Sequence, residues 1–209
     1  MRETILLRDF EERDIKSIHK WKNDKKLMGM TVGGFRKFSI EDAEKWVHGC
    51  MGFHDDYKFW AVCTNDKEKR IVGYVSLVKM HNNNKSAQFG GILIGDPEYQ
   101  GGVAWIQIYQ VVLKYVFEEL GLNRLGGRAL TEHPQTITMM AALLFEKEGV
   151  ERQSVFMNGR YYDIQTHALL KNDYFEHKAK GDYEFSSILR RIASLSRNKN
   201  QKNGKTIRE

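Results

Sequence analysis

Residues 96–125 read DPEYQGGVAWIQIYQVVLKYVFEELGLNRL, and this stretch decides the fold. It begins as a polar loop, contains the glycine pair Gly101-Gly102, and continues with apolar residues at helical spacing. A glycine pair directly before a helix lets a ligand approach the backbone closely, because no Cβ stands in the way. The first turn of a helix also offers unpaired N–H groups and the positive end of the helix dipole. The stretch therefore predicts a loop that leads into a long helix ending at residue 120.

The segments before this helix predict a sheet. Residues 59–64 and 71–78 are rich in β-branched and aromatic residues and are separated by a polar turn, which is typical of a hairpin. Residues 86–94 form the next predicted strand, which contains the pair Gly90-Gly91. Glycines inside a strand indicate a β-bulge or the close approach of another group to the backbone.

The remaining segments complete an α/β pattern. A short strand at residues 4–7 and a helix at 13–23 precede Ser39, whose S-x-x-D pattern predicts the start of a second helix. After the quoted stretch come a strand at 123–130, a helix from Pro134 to residue 147 ended by Gly149, and a closing hairpin around Asn158-Gly159. The order β-α-α-β-β-β-α-β-α-β-β predicts an α/β fold with a mixed central sheet of about six or seven strands flanked by helices.

The C-terminal segment differs from the rest. Phe185, Ile188, Leu189, Ile192 and Leu195 follow helical spacing and predict an amphipathic helix. The residues from 197 onward are polar. We therefore predict a domain at 1–178, a C-terminal helix at 179–196 and a disordered basic tail at 197–209.

Composition narrows the class of protein. The net charge is +6, and nine Lys or Arg residues lie between Lys178 and Arg208, so most of the positive excess is in the tail. A nucleic-acid-binding domain carries its basic patch on the folded part, so this distribution argues against nucleic-acid binding. No apolar run reaches the roughly 20 residues of a membrane span, and the N-terminus has no signal-peptide pattern. The two cysteines, Cys50 and Cys63, suit a reducing cytoplasm and form no metal-ligand pattern.

Three stretches, in order and at matching spacing, resemble the GNAT acyl-CoA N-acyltransferases. Residues 97–105 and 117–124 are similar to the family's P-E-Y-Q-G-K-G-I-G and F-E-E-L-G-L-N-R segments. Residues 144–149, LFEKEG, are similar to its L-Y-E-K-x-G segment. Residues 156–163, FMNGRYYD, resemble the hairpin of the spermidine, ribosomal-protein and nucleotide-amino-sugar acetyltransferases. The resemblance covers about residues 4–175 and implies the GNAT fold.

The resemblance also implies acetyl-CoA as cofactor. In the family, the bulged strand offers its edge to the pantetheine amides, and the glycine loop with the helix start holds the pyrophosphate. Carried over to this sequence, the residues implied are Ile92, Leu93, Ile94, Gln100, Gly101, Gly102, Val103, Ala104 and Trp105.

Four positions depart from the family pattern. Val103 and Trp105 stand where glycines are usual; Trp105 is either a core residue or a plug in the cofactor groove. Phe145 replaces a tyrosine that protonates the leaving thiolate in many members. Gln88 replaces a glutamate of the related polyamine enzymes.

Candidate catalytic and acceptor residues lie beside these segments. His133 and Glu132 follow the strand ending near residue 130, where the amine of a GNAT substrate meets the thioester, and either could accept a proton. A loop or cap role next to Pro134 is the alternative. Trp21 and Asn23 match a W-(R/K)-N pattern of the amino-sugar enzymes near the acceptor pocket; the alternative for Trp21 is a core anchor.

These features predict an N-acetyltransferase acting on a primary amine of a small molecule, with a nucleotide-linked amino sugar leading. A polyamine or a protein N-terminus is a further alternative. The rival from another class is a GNAT-fold binding or assembly module that has lost acetyl-CoA turnover, which Val103, Trp105 and Phe145 motivate. A homodimer is possible, and no metal is expected.

Overall fold

A seven-stranded sheet in the order β1-β2-β3-β4-β5-β7-β6 forms the centre of the molecule. The computed structural model describes residues 4–29, 31, 35–52 and 54–206, with the backbone alone from residue 198. All neighbouring strands are antiparallel except the parallel pair β4 and β5. The strands are β1 Ile5–Arg8, β2 Tyr57–Thr64, β3 Ile71–His81, β4 Ser86–Ile94, β5 Arg124–Leu130, β6 Glu146–Met157 and β7 Arg160–Leu170.

Seven helices flank the sheet in the described chain. They are α1 Ile15–Lys22, α2 Lys25–Met28, α3 Ile40–Cys50, α4 Gly102–Lys114, α5 Pro134–Ala142, α6 Lys171–Ala179 and α7 Phe185–Thr206. Ser39 caps α3 as predicted, since its hydroxyl accepts from the amide of Asp42 and the Asp42 carboxylate accepts from the amide of Ser39. The predicted α/β fold with a mixed seven-stranded sheet is confirmed.

The two faces of the sheet carry separate cores. The main core lies between the sheet and α4, α5 and α7, and it includes Tyr109, Phe117 and Leu125. A second core lies under α1 and α3 on the opposite face and includes Trp21 and Val47. Side chains alternate between these faces along each strand, so neighbouring residues of β3 and β4 serve different cores.

The C-terminal half of the chain departs from the predicted boundaries. Helix α5 ends at Ala142 rather than at residue 147, because Leu144 adopts a left-handed φ of 65° that stops the helix. Gly149 therefore lies inside β6 and is not a helix cap. The helix α6 was not predicted; its apolar pattern is weak, and Tyr174 is its one buried residue.

The last helix packs on the body. Helix α7 continues past residue 196 into the segment predicted as a tail, and the division of the chain into domain, helix and tail stays a prediction. Ile188 is fully buried, and the Arg191 side chain donates to the carbonyl of Ala142 at 2.8 Å.

None of the helices among the described residues combines the length and the hydrophobicity of a membrane span. The two free cysteines are both buried, and burial raises the pKa of Cys50 to about 12 and that of Cys63 to about 11.

We expect α7 to contribute to the stability of the domain. Ile188→Ala should lower the free energy of unfolding by about 2–5 kcal/mol, since it leaves a cavity in the main core. The neighbouring substitution Leu189→Ala is the control, because Leu189 is 49 % exposed and should change stability by less than about 0.5 kcal/mol. Urea unfolding followed by circular dichroism measures both; equal midpoints for the two variants would contradict a docked helix.

Candidate active site

The parallel strands β4 and β5 separate and leave a V-shaped gap. They pair only at Ser86 with Arg124, Ala87 with Leu125, and Gln88 with Gly126. No further residues of these two strands pair with each other in the described chain. Residues 89–94 of β4 therefore have no strand partner on the side that faces β5. Backbone N–H and C=O groups left without a strand partner need another hydrogen-bonding group. The gap can therefore accept an extended ligand with amide groups along β4.

A β-bulge bends β4 at the start of the gap. The register with β3 shifts between the pairs Ser76–Gly91 and Leu77–Phe89, which leaves Gly90 as the extra residue. Gly91 has φ of 130°, a conformation that side chains rarely adopt, and a Cβ at Gly90 would overlap the hydroxyl group of Ser76. The glycine pair is therefore required by the bulge, as its sequence pattern predicted.

The start of α4 suits a pyrophosphate. Gly101 is the N-cap residue, and no described side chain caps the first turn. A Cβ built at Gly101 or Gly102 would meet no described atom within 4 Å, so the space in front of the first-turn amides is open. Free amides, an open approach and the helix dipole together fit the phosphate groups of the implied cofactor.

The other residues of the loop hold the helix start in place. The Gln100 side-chain amide donates to the carbonyl of Ile94 at 3.2 Å, which ties the loop to the end of β4. Ala104 is buried, Val103 is 40 % exposed, and Trp105 is half-buried against the main core. The Trp105 side chain thus packs on the main core, and the backbone amides of Val103 and Trp105 remain at the helix start.

A groove lies on the opposite face of the sheet and reaches the bulge. We call it the aromatic groove; it has a volume of about 480 Å³ and is lined by Lys45, Trp46, Gly49, Cys50, Asp56, Tyr57, Phe59, Val78 and Lys79. The Cγ1 atom of Val78 would lie 3.0 Å from a Cβ at Gly90, so the groove ends beside the bulge. Sequence reasoning missed this groove because its residues come from three separate segments and carry no common motif.

The predicted acceptor residues Trp21 and Asn23 lie on the same face as the groove. Trp21 is buried, and its ring covers Gly95, where any Cβ would overlap the indole. The Asn23 side chain donates to the carbonyl of Phe38 at 2.7 Å and accepts from its amide at 3.1 Å. Both residues therefore shape the end of α1 and the chain leading into α3, and their contact with an acceptor stays a prediction.

The two predicted catalytic residues have different surroundings. His133 is the N-cap of α5, and its Nδ1 atom accepts from the amide of Thr136 at 3.3 Å and lies 2.8 Å from the Thr136 hydroxyl. This arrangement places the proton of the neutral ring on Nε2, which is then a donor. The Glu132 carboxylate accepts two hydrogen bonds from Arg160, at 3.0 and 2.6 Å, and is about half exposed.

Phe145 lies at the gap where the resemblance places a tyrosine. It is buried, and its Cδ1 atom would be 3.8 Å from a Cβ at Gly127, the first residue of β5 beyond the pairing with β4. Sequence reasoning missed His167, which pairs with Gly127 across the sheet. His167 is 4 % exposed, and burial lowers its pKa. His167 lies in a predicted strand, and nothing in the local sequence indicates that its side chain is buried next to the gap.

Comparison with known proteins agrees with this geometry. A family model described as an acetyltransferase (GNAT) domain matches residues 4–146. Spermidine N(1)-acetyltransferase of Vibrio cholerae is 25 % identical over 174 residues, which cover 83 % of this chain and 97 % of that protein. Ribosomal-protein-serine acetyltransferase of Escherichia coli is 26 % identical over 132 residues, covering 62 % of this chain and 71 % of that protein.

Solved structures show the same architecture. The crystal structure of the Vibrio cholerae spermidine N-acetyltransferase in complex with CoA and spermine has a TM-score of 0.71 and 26 % identity, and the match covers 83 % of this chain and 99 % of that one. An acetyltransferase of the GNAT family from Bacillus anthracis matches with a TM-score of 0.70 at 23 % identity, covering 82 % of this chain and 98 % of that one.

We expect Gly102→Leu to abolish acetyl-CoA binding while the protein stays folded. The new side chain would extend into the open space before the first-turn amides, where we expect the phosphates to bind, and its Cβ would have no other described residue within 4 Å outside the helix backbone. Calorimetric titration with acetyl-CoA measures the loss. Lys114→Leu adds the same side chain at the exposed far end of α4 and should bind like the parent. Unchanged affinity in Gly102→Leu would show that the phosphates lie elsewhere.

Proposed function

This chain belongs to the GNAT acetyltransferase family and is an acetyl-CoA-dependent N-acetyltransferase, and we propose that its acceptor is the primary amine of a nucleotide-linked amino sugar. The observation that carries the acceptor proposal is the charge of the aromatic groove. Lys45 and Lys79 contribute two positive charges, and Asp56 contributes the one negative charge among its lining residues. Such a groove favours an amine whose molecule also carries anionic groups.

The apex of the gap supports the same acceptor. Gln88 occupies the last pair between β4 and β5, where the related polyamine enzymes carry a glutamate, and its Cγ atom would lie 3.4 Å from a Cβ at Gly126. A glutamine is neutral and cannot attract a second ammonium group as a carboxylate does. A polyamine is the second candidate, favoured by the similarity to the Vibrio cholerae enzyme, whose crystal structure contains spermine.

The residues of the gap then have distinct roles in the transfer. Acetyl-CoA, when bound, supplies an acyl thioester. We propose that the free edge at Ile92, Leu93 and Ile94 aligns the pantetheine amides and that a backbone N–H near Ile92 holds the carbonyl oxygen. The amides of residues 101–105 hold the phosphates.

The proton of the attacking amine has two predicted acceptors. His133 would take a proton at Nδ1 only by giving up its bonds to Thr136. The Glu132 carboxylate has about four acceptor sites, of which Arg160 uses two, and it is exposed to water. We therefore propose that the amine proton is transferred through water to Glu132. His133 then does not accept this proton and instead donates a hydrogen bond from its Nε2–H group.

The acceptor is tested with a panel of amines. We expect thiol release from acetyl-CoA to be at least about tenfold faster, in kcat/KM, with a UDP-linked amino sugar than with spermidine or with a peptide carrying a free N-terminus, since about 1.4 kcal/mol of preference gives this ratio. Mass spectrometry of the product locates the acetyl group. Faster transfer to spermidine would show that the acceptor is a polyamine and not an amino sugar. Binding of acetyl-CoA with no transfer to any amine would favour a binding module.

Phe145 provides a second test, because a general acid can be restored at its position. We expect Phe145→Tyr to raise kcat by about tenfold or more, with the KM for acetyl-CoA unchanged, since general acids contribute about 10²–10⁴ in rate. Phe156→Tyr is the matched control on the exposed hairpin, where Phe156 is 63 % exposed, and should leave kcat unchanged. A folded Phe145→Tyr variant with the parent's kcat would mean that the thiolate obtains its proton from another donor.

A further inference from the structure

Lys22 carries a half-buried ammonium group at the end of α1. Its Nζ atom donates to the Tyr74 hydroxyl at 3.1 Å and lies 4.8 Å from the ring centroid of Trp46 and 5.2 Å from that of Tyr74. No carboxylate in the described chain lies within ion-pair distance of it. A buried ammonium group is usually compensated by a carboxylate, because desolvation of the charge is costly. This one keeps two N–H donors for another partner.

A second cation lies on the same side of the domain, in the chain that leads into α3. The Arg36 guanidinium is exposed, lies 5.5 Å from the ring centroid of Phe38, and has no ion pair within the described residues. Burial lowers the pKa of Lys22, and the charge of Arg36 lowers it further. The hydrogen bonds from Asn23 hold Phe38 at the end of α1 and so keep Arg36 on this side. Two cations on one side of the domain, neither with a carboxylate partner among the described residues, favour the binding of an anion.

We propose that Lys22, Arg36 and the Tyr74 hydroxyl form a subsite that binds the phosphate or diphosphate group of the acceptor. This subsite rests on the proposed function, because it assigns the residues that recognise the anionic part of that acceptor. The Tyr74 oxygen accepts from Lys22, and burial raises its pKa, so its own proton remains available to a phosphate oxygen. Charge-assisted hydrogen bonds of this kind are about twice as strong as neutral ones.

The position of the subsite fits the acceptor. Ser76 pairs with Gly91 at the bulge, and Tyr74 lies two residues along the same strand and on the same face, about 7 Å away. Trp46 lines the aromatic groove on one side and contacts Tyr74 and Lys22 on the other. An acceptor that extends along this face of the sheet would thus have its amine toward the bulge and its phosphate at Lys22.

The subsite is tested by titrating UDP into protein saturated with CoA. The bound CoA occupies the cofactor's own phosphate site, so that UDP cannot bind there. We expect Lys22→Met to weaken UDP binding by about tenfold or more and Tyr74→Phe by a smaller factor, because each removes donors to the phosphate. Arg36→Gln, at an exposed position, should weaken UDP binding as well and should leave the melting temperature near that of the parent. Lys16→Met is the control, since Lys16 is exposed on the same helix, and it should bind UDP like the parent.

The outcomes separate the subsite from the acceptor proposal. No UDP binding by the CoA-saturated parent, or parent-like binding in both Lys22→Met and Arg36→Gln, overturns the subsite. Acetylation of a UDP-linked amino sugar with the parent's KM in both variants overturns it too, while the acceptor proposal stands. UDP binding that depends on Lys22 and Arg36, without acetylation of the amino sugar, supports the subsite and overturns the acceptor. A purely structural role of Lys22 would lower the melting temperature and leave the UDP affinity of Arg36→Gln unchanged, which also counts against the subsite.

Discussion

The separation of β4 from β5 is the constraint on which the rest of the structure depends. A parallel pair inside a sheet normally continues for the length of the strands, but this pair ends after three residues on each strand. The bulge at Gly90 and Gly91 adds a residue to β4 and turns its edge away from β5. Backbone groups that would be satisfied by a neighbouring strand are thereby left for a ligand. Both core clusters are built around this gap, since α4 and α5 cover one face of the sheet and α1 and α3 cover the other.

The two sides of the gap are chemically different. On the α4 side, open glycines and uncapped amides suit phosphates without any charged side chain in the first turn. On the α1 and α3 side, aromatic rings and two lysines line the aromatic groove, and Lys22 lies over the rings of Trp46 and Tyr74 beside it. Aromatic faces attract cations and tolerate their partial desolvation. Trp46, which lines the groove, can therefore stabilise the positive charge of Lys22, and this charge favours acceptors that carry anionic groups.

The departures from the family pattern have structural explanations that differ from one another. We expect Val103 and Trp105 to affect the cofactor site little, since Val103 is 40 % exposed and Trp105 packs on the main core, while the backbone amides remain. Phe145 changes the chemistry of the gap, because a buried ring next to Gly127 has no proton to give. The imidazole of His167 is buried at the position that pairs with Gly127. We expect these differences to affect the rate of the transfer more than the binding of acetyl-CoA.

The sequence by itself determined the order of elements, the bulge and the helix start, because each depends on local patterns: apolar periodicity, a glycine pair inside a strand, and glycines before a helix. It also placed Trp21, Asn23, His133 and Glu132 near the correct ends of their elements. Only the tertiary structure decided what their side chains do. The packing of Trp21 on Gly95, the pairing of Glu132 with Arg160, and the meeting of Lys22 with Tyr74 join residues 28 to 74 positions apart. Such contacts follow from sheet register and helix docking, which leave no trace in local spacing.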